Sequence, residues 1–280
     1  MPLQQNQYYR DHQGTPMFFS FHAAAPGKGV KAAVLMVPAI FEEKQDAHRA
    51  IVNFAHRLAE QGISVLRFDF RGQGESGGEL HEFHPEDLIA DVRFAFAELQ
   101  RSGEFAQTGA VGVRFGSNLL AAAARDINPA FLVGWAPVYD GENYAKTVLW
   151  TNLTTQMMVY RKIVEDRKVL RQRLEEGRLV DVDGYKLSLD WYRYLAADDL
   201  VGHLSATAFP TLLLDIAADP EQENSRWDQF AGRLSDVASD RVSCQRVEGD
   251  TFWRLTPVYA VRPRATFEKS EEYILSHVRR

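Results

Sequence analysis

Val111-Gly112-Val113-Arg114-Phe115-Gly116-Ser117 has the frame of a nucleophile elbow. In the pattern G-x-S-x-G, glycines two before and two after the nucleophile let the chain turn sharply from strand into helix. They also keep side chains from crowding the apex. Gly112 and Gly116 stand at that spacing. Residues 108–113 read as a short apolar strand, and residues 118–124 as a small-residue helix able to pack close to a sheet. The apex residue is Arg114. A guanidinium stays protonated and attacks no carbonyl. The frame therefore predicts a strand-turn-helix scaffold with Arg114 in an unusual φ/ψ region, while the residue presented there withholds the usual chemistry.

Outward from this stretch the chain alternates strands and helices. Residues 17–22 read as an early edge strand. Residues 32–37 are a continuous apolar run ending at Pro38, as in a parallel strand buried on both faces. Residues 48–60 carry Ile51, Phe54, Ala55 and Leu58 on one helical face. Residues 63–68 are the next strand, and Pro85 opens a helix with Leu88, Val92, Ala95, Phe96 and Leu99 in register. Further strands are expected at 131–135, 212–216 and 241–247, with a terminal helix from about Ala265. Such alternation predicts a mostly parallel sheet flanked by helices. It breaks between about residues 140 and 208. That stretch shows a long helical pattern (143–176), a short segment (179–187) and another helix (189–200), and is expected to lie as a helical cap over the carboxyl edge of the sheet. Its charge-rich part from Arg161-Lys162 to Arg178 suits either a solvated helix face or a basic docking patch.

These pieces resemble the α/β-hydrolase superfamily. The likeness rests on the strand-elbow-helix at 108–124, on the turn Asp69-x-Arg71-Gly72-x-Gly74-x-Ser76, and on the cap inserted after the strand ending at Trp135. More narrowly, the chain resembles the hydrolase-like proteins found beside exosortase and exopolysaccharide gene clusters, the second of two types. The matching pieces are Pro38-Ala39-Ile40-Phe41-Glu42-Glu43-Lys44, the elbow, the cap segment Val182-Asp183-Gly184-Tyr185-Lys186-Leu187-Ser188, and Phe252-Trp253. The resemblance implies an α/β-hydrolase core at residues 1–139 and 209–280, a helical cap at 140–208, and an exopolysaccharide-type pathway.

In this fold nucleophile, acid and histidine follow in that chain order. Asp219, before Pro220, is read either as a retained acid or as a turn residue. The loop that should carry the histidine reads Val247-Glu248-Gly249-Asp250-Thr251-Phe252-Trp253 and has none. Beyond Asp219 the sequence holds only His277, which the terminal helix should carry away from the elbow. Ser117 is expected to satisfy an N–H at the helix start, and Ser76 to be structural. Arg114 could be neutralised by Glu42 or Glu43, or could present its fork of donors to an anionic ligand. A third route needs no nucleophile and uses Asp219, Asp250 or Glu42 as base with Arg114 as electrophile. The candidate catalytic residues are thus Arg114, Asp219 and Asp250. Ile40, Phe41, Glu42, Glu43, Phe115 and Trp253 form the expected ligand-binding or oxyanion region.

Composition bounds the partners. The chain has 280 residues, 45% hydrophobic and 25% charged, with a formal net charge of -6. That disfavours nucleic acid. The single cysteine, Cys244, excludes an internal disulfide and disfavours a cysteine-based metal site. It reads as a strand-core thiol. No window approaches a membrane span, and the polar start at residues 1–15 has no apolar signal region, so a cytoplasmic location is expected. No cofactor is expected. The expected partner is a small-molecule ligand, anionic, acyl- or sugar-like, or a protein. The alternative is a hydrolase, acyltransferase or lyase with non-serine chemistry.

Overall fold

The computed structural model describes residues 5–28, 31–254 and 263–278, so the remaining residues of the expected core lie outside the described ones. In chain order the elements are β1 (Gln5–His12), β2 (Thr15–His22), β3 (Ala32–Val37), α1 (Glu42–Glu60), β4 (Ile63–Phe68), α2 (Pro85–Arg101), β5 (Gln107–Val113), α3 (Phe115–Ile127) and β6 (Leu132–Trp135). Then follow α4 (Gly141–Tyr160), α5 (Arg167–Glu175), β7 (Val180–Val182), β8 (Tyr185–Leu187), α6 (Leu189–Ala197), α7 (Leu200–Ser205), β9 (Thr211–Ala217), α8 (Ser225–Ala238), β10 (Val242–Glu248) and α9 (Arg264–Val278).

Eight strands form one sheet in the order β1-β2-β4-β3-β5-β6-β9-β10, antiparallel at β1 and β2 and parallel from β4 onward. The apolar run of β3 explains its central place. Successive side chains point to opposite faces. Ala33, Leu35 and Val37 enter the core under α2 and α3, and Ala32, Val34 and Met36 enter the core under α1 and α9. In the second core Phe54 and Phe267 pack on Trp135, whose indole N–H donates to Ser270 Oγ at 2.8 Å.

The expected strands and the α/β-hydrolase architecture are present, with five differences in detail. β1 lies in the polar start of the chain, where no strand is expected, because its outer position leaves most of its side chains in water. No helix was expected at α8, although Trp227, Phe230, Leu234 and Ala238 follow helical spacing and are buried. The expected helix 143–176 is two helices: Arg161 takes a left-handed conformation (φ 56°) and Asp166 caps α5 through the N–H groups of Lys168 and Val169. The segment 179–187 is a hairpin turned at Asp183-Gly184, both at positive φ, the turn type that Asp-Gly favours. The expected helix 189–200 ends at Ala197, and α7 beyond it packs on α3 and α8.

The cap is fastened to the core by a buried amide. Asn118 on α3 donates to the Val138 carbonyl at 2.7 Å and to Asp198 Oδ2 at 2.6 Å, and accepts from the Val138 N–H at 3.1 Å. Asp198 also meets His203 Nε2 at 3.2 Å.

Two predictions follow from packing and burial. A Cβ on Gly116 would stand 2.1 Å from the Pro38 carbonyl oxygen, whereas one on Gly232, on the exposed face of α8, meets nothing within 4 Å. Gly116→Ala should cost about 3 kcal/mol or fail to fold, and Gly232→Ala should gain about 0.5–1 kcal/mol. Urea unfolding checks both, and a neutral Gly116→Ala would refute the close approach. His22 is fully buried and accepts from Arg67 Nε at 2.9 Å. Burial, then Arg67 and His56, push its pKa from 6.5 down to about 3. A depressed imidazole contributes fully above its unfolded pKa, and that stability is lost as pH falls toward 3. Between pH 7 and pH 5 the loss should be about 2 kcal/mol. His22→Gln, which keeps an acceptor for Arg67, should show a smaller loss over the same interval, and equal losses would reject the assignment.

Candidate functional site

The elbow follows from two steric facts. A Cβ on Gly112 would lie 2.5 Å from Ser117 Cα, and one on Gly116 would strike the end of β3. Only glycine lets α3 start this close to β5 and β3. Between them Arg114 stands at φ 54°, ψ -127° as the N-cap of α3, the strained conformation its position predicts. Its N–H donates to the Trp135 carbonyl at 2.9 Å, which ties the apex to β6.

The guanidinium is held on several sides. Arg114 Nε donates to Glu43 Oε1 at 3.0 Å and Nη1 donates to the Ala136 carbonyl at 2.7 Å. The cation lies over Trp253 at 4.9 Å and near the Tyr144 ring at 5.5 Å. Tyr144 donates its hydroxyl to the other oxygen of Glu43 at 2.8 Å and stacks on Phe115 at 5.7 Å. Burial, then Glu43, push the Tyr144 phenol well above its ordinary range, so it stays protonated and donates. The side chains of Arg114 and Glu43 are 14% and 17% exposed, a largely buried pair.

The loop after β3 is equally constrained. Phe41 also takes a positive φ, 56°, and its N–H donates to Gln73 Oε1 at 3.0 Å. Its ring meets Tyr185 of the hairpin and Trp191 of α6, each at 5.9 Å. Ile40 is fully buried. Glu42 points elsewhere: burial, then Asp46 and Asp183, raise its pKa. Glu43 is thus the carboxylate that reaches Arg114.

A cavity of about 230 Å³ opens beside this cluster. Arg114, Tyr144, Asp215, Arg226, Thr251 and Trp253 are among its lining residues. Asp215 receives Arg246 Nε at 3.0 Å, and Arg226 reaches Asp140 at 3.6 Å. Among the described residues nothing hydrogen-bonds Arg114 Nη2, which leaves that donor for the cavity.

The fold brings some of the residues singled out by the sequence together and keeps others apart. Arg114, Glu43, Phe115 and Trp253 meet at one place, with Phe41 and Ile40 on the adjoining loop. Asp219 is not brought there. It is an exposed turn residue whose Oδ1 accepts the Glu221 N–H at 3.0 Å. Asp250 is exposed in the loop after β10, and neither carboxylate lines the cavity. Ser117 does not cap its helix; its hydroxyl is buried and hydrogen-bonds nothing among the described residues. Ser76 is structural, accepting from Phe18 N and donating to the Asp69 carbonyl. His277 lies against Phe131 and beside Pro210 and Thr211, at the opposite edge of the sheet. Burial raises the Cys244 thiol to about 11, as in a strand-core residue. Tyr144, Gln73 and Asp215 were missed. Asp215 carries a sequence signal, a charge inside the apolar run Leu212 to Ile216; Gln73 has none, since nothing local tells which amide it faces.

Comparison with known proteins agrees with this architecture. The family described as serine aminopeptidase, S33 (Hydrolase_4), matches residues 28–242. No curated protein sequence matches the chain. Among solved structures, Est1E from Butyrivibrio proteoclasticus with bound ferulic acid superposes with a TM-score of 0.69 at 18% identity, covering 98% of this chain and 100% of that one. Mouse α/β hydrolase domain-containing protein 10 gives 0.59 at 18% identity, over 97% and 99%. XC6422 from Xanthomonas campestris, an α/β serine hydrolase without lid, gives 0.57 at 16% identity, over 100% and 95%. At these identities the structures speak for the fold alone. The family match spans most of the chain and includes the elbow and β3 loop described above, so the protein belongs to the serine aminopeptidase S33 family of the α/β-hydrolase superfamily.

Proposed function

We propose that this chain is a hydrolase-fold protein that has given up the serine–histidine pair and binds a small anionic ligand between core and cap. The observation that carries the reading is the state of Arg114. It fills the apex, is neutralised by Glu43, keeps an Nη2 donor that no described residue engages, and lines a cavity together with Arg226 and Arg254. A planar fork of donors suits a carboxylate or phosphate. The apex offers no nucleophile, and the sequence has no histidine between His203 and His277. The backbone donor at Phe41 is already engaged by Gln73, so one of the two positions that would stabilise an oxyanion is occupied.

The non-serine enzymatic route draws less support. Asp219 and Asp250, its expected bases, lie off the cavity wall. The likeness of the β3 loop, elbow and hairpin to exosortase-associated proteins supports a place in an exopolysaccharide-type pathway, with a sugar acid as the ligand class. The cavity, at about 230 Å³, suits a single small ring or a shorter acid rather than a drug-sized molecule.

The reading predicts no covalent labelling by a fluorophosphonate probe and no p-nitrophenyl ester hydrolysis above buffer. Arg114→Ser should stay inactive, since its hydroxyl would have no imidazole to take the proton. It should also lose about 2–4 kcal/mol, because Glu43 is left buried without its cation. Ester turnover by Arg114→Ser well above background would reveal a hidden base and end the proposal. Glucuronate, acetate and inorganic phosphate, titrated with the protein by calorimetry, should include at least one binder. The charge-neutral double variant Arg114→Gln/Glu43→Gln should weaken that binder at least tenfold. Undiminished binding in the double variant, or no binding by any of the three, would equally reject Arg114 as the anion site.

A further inference from the structure

Large apolar side chains exposed to solvent are concentrated in one part of the cap. Of the eleven among the described residues, nine lie between residues 150 and 179. Their centre is Met157, Met158, Val159, Tyr160, Ile163 and Val164, where α4 ends and the chain turns back to α5. Met158 and Val159 are 66% and 64% exposed. This is no buried stripe turned outward. Residues 157–160 are four successive residues, each about 100° further around the helix axis, so the end of α4 is apolar on every side. A flat protein partner or a groove would cover one side of such a tip. A fluid hydrocarbon boundary surrounds all of it.

The charges around the tip fit the same medium. Residues 157–179 hold seven Arg and Lys against four Asp and Glu, a net +3 in a chain of formal charge -6. Glu165 is taken by Arg173, Glu175 by Arg171 and Glu176 by Arg178. Arg161, Lys162 and Lys168 are exposed and pair with no described carboxylate. Arg167 lies over the exposed Trp150 at 5.2 Å, a cation beside an aromatic ring. Aromatic rings and basic side chains at one level are what a headgroup layer accommodates. The rest of the surface, with its acidic surplus, is repelled by an anionic membrane, so the basic tip would also set the orientation.

The loop is held in shape by α4 itself rather than left to collapse. Gln156 is buried; its amide oxygen accepts from the Val164 and Glu165 N–H groups, and its amide nitrogen donates to the Glu165 carbonyl. The backbone is satisfied while the apolar side chains stay outside. No helix among the described residues is long and apolar enough to cross a membrane.

We propose that the α4–α5 tip is a membrane-docking element that inserts its apolar residues into the interface of an anionic bilayer. The proposal stands apart from the ligand reading of the Arg114 cavity. It is tested by flotation of the full chain with phosphatidylcholine vesicles, with and without 30 mol% phosphatidylglycerol. Binding should require the anionic lipid, fall with added salt, and drop at least tenfold in Met158→Asp/Ile163→Asp and in Lys162→Glu/Lys168→Glu. All four positions are exposed, so circular dichroism should stay unchanged. Failure of the unaltered protein to float with anionic vesicles would overturn the proposal, as would binding that survives Met158→Asp/Ile163→Asp. Light scattering that shows a dimer dissolved by Met158→Asp, without vesicle binding, would assign the tip to a second copy of the chain instead.

Discussion

The approach of α3 to the ends of β3 and β5 is the constraint on which the site depends. Gly116 lies so near the Pro38 carbonyl that no side chain fits between them, and Gly112 lies as near to Ser117. Two β-to-helix turns are thereby pressed together. Each turn stores a non-glycine residue at positive φ, Arg114 in one and Phe41 in the other. Such conformations cost about 1–3 kcal/mol each and persist only where the surroundings fix them. Here the fixing contacts are visible: the Trp135 carbonyl holds the Arg114 N–H, and Gln73 holds the Phe41 N–H. The backbone of a reactive elbow is kept, while the side chain it presents is a cation.

That cation decides what surrounds it. A largely buried guanidinium needs an opposite charge and acceptors for its N–H groups, or it costs several kcal/mol. Glu43 from the first turn of α1 supplies the charge, Ala136 a carbonyl, and Trp253 a ring face. Tyr144 of the cap completes Glu43's second oxygen. The network therefore draws on β3's loop, the elbow, the turn after β6, the cap and the loop after β10. A change at Arg114 would disturb all of them, and a serine placed there meets a site whose packing and electrostatics are built around a positive charge.

Much of the scaffold was legible in the sequence because its signals are local. The apolar run 32–37, the paired glycines at 112 and 116, and the amphipathic spacing after Pro85 each specify an element without reference to the rest. Glu43 was one of two candidates for Arg114, and periodicity could not choose between neighbours; the direction of α1's first turn does. What stayed hidden depends on tertiary partners. β1 is polar and is a strand only because β2 offers it an edge. Asp219 looked like an acid in the right loop, yet the turn before Pro220 uses its carboxylate locally. Tyr144 was one aromatic among many in the cap until folding set it against Glu43. The hairpin at Asp183-Gly184 was a different kind of miss, since its turn signal was in the sequence.

α4 joins the two regions that the fold itself does not require. At its start Asn143, Tyr144 and Thr147 face the cavity beside Arg114. At its end at Tyr160, about 20–25 Å from those residues at 1.5 Å per residue, the apolar tip stands in solvent. The first turn is anchored by Asp140, which accepts the Asn143 N–H, and by the stacking of Tyr144 on Phe115. Gln156 secures the far end. A helix fixed at both ends transmits position rather than motion. A surface that grips the tip would hold the cavity at a set height and orientation above it. Stabilising the core alone does not require an apolar helix end in water, and the cavity does not require a helix of this length. Both features make sense together if the ligand is met close to the surface on which the tip rests.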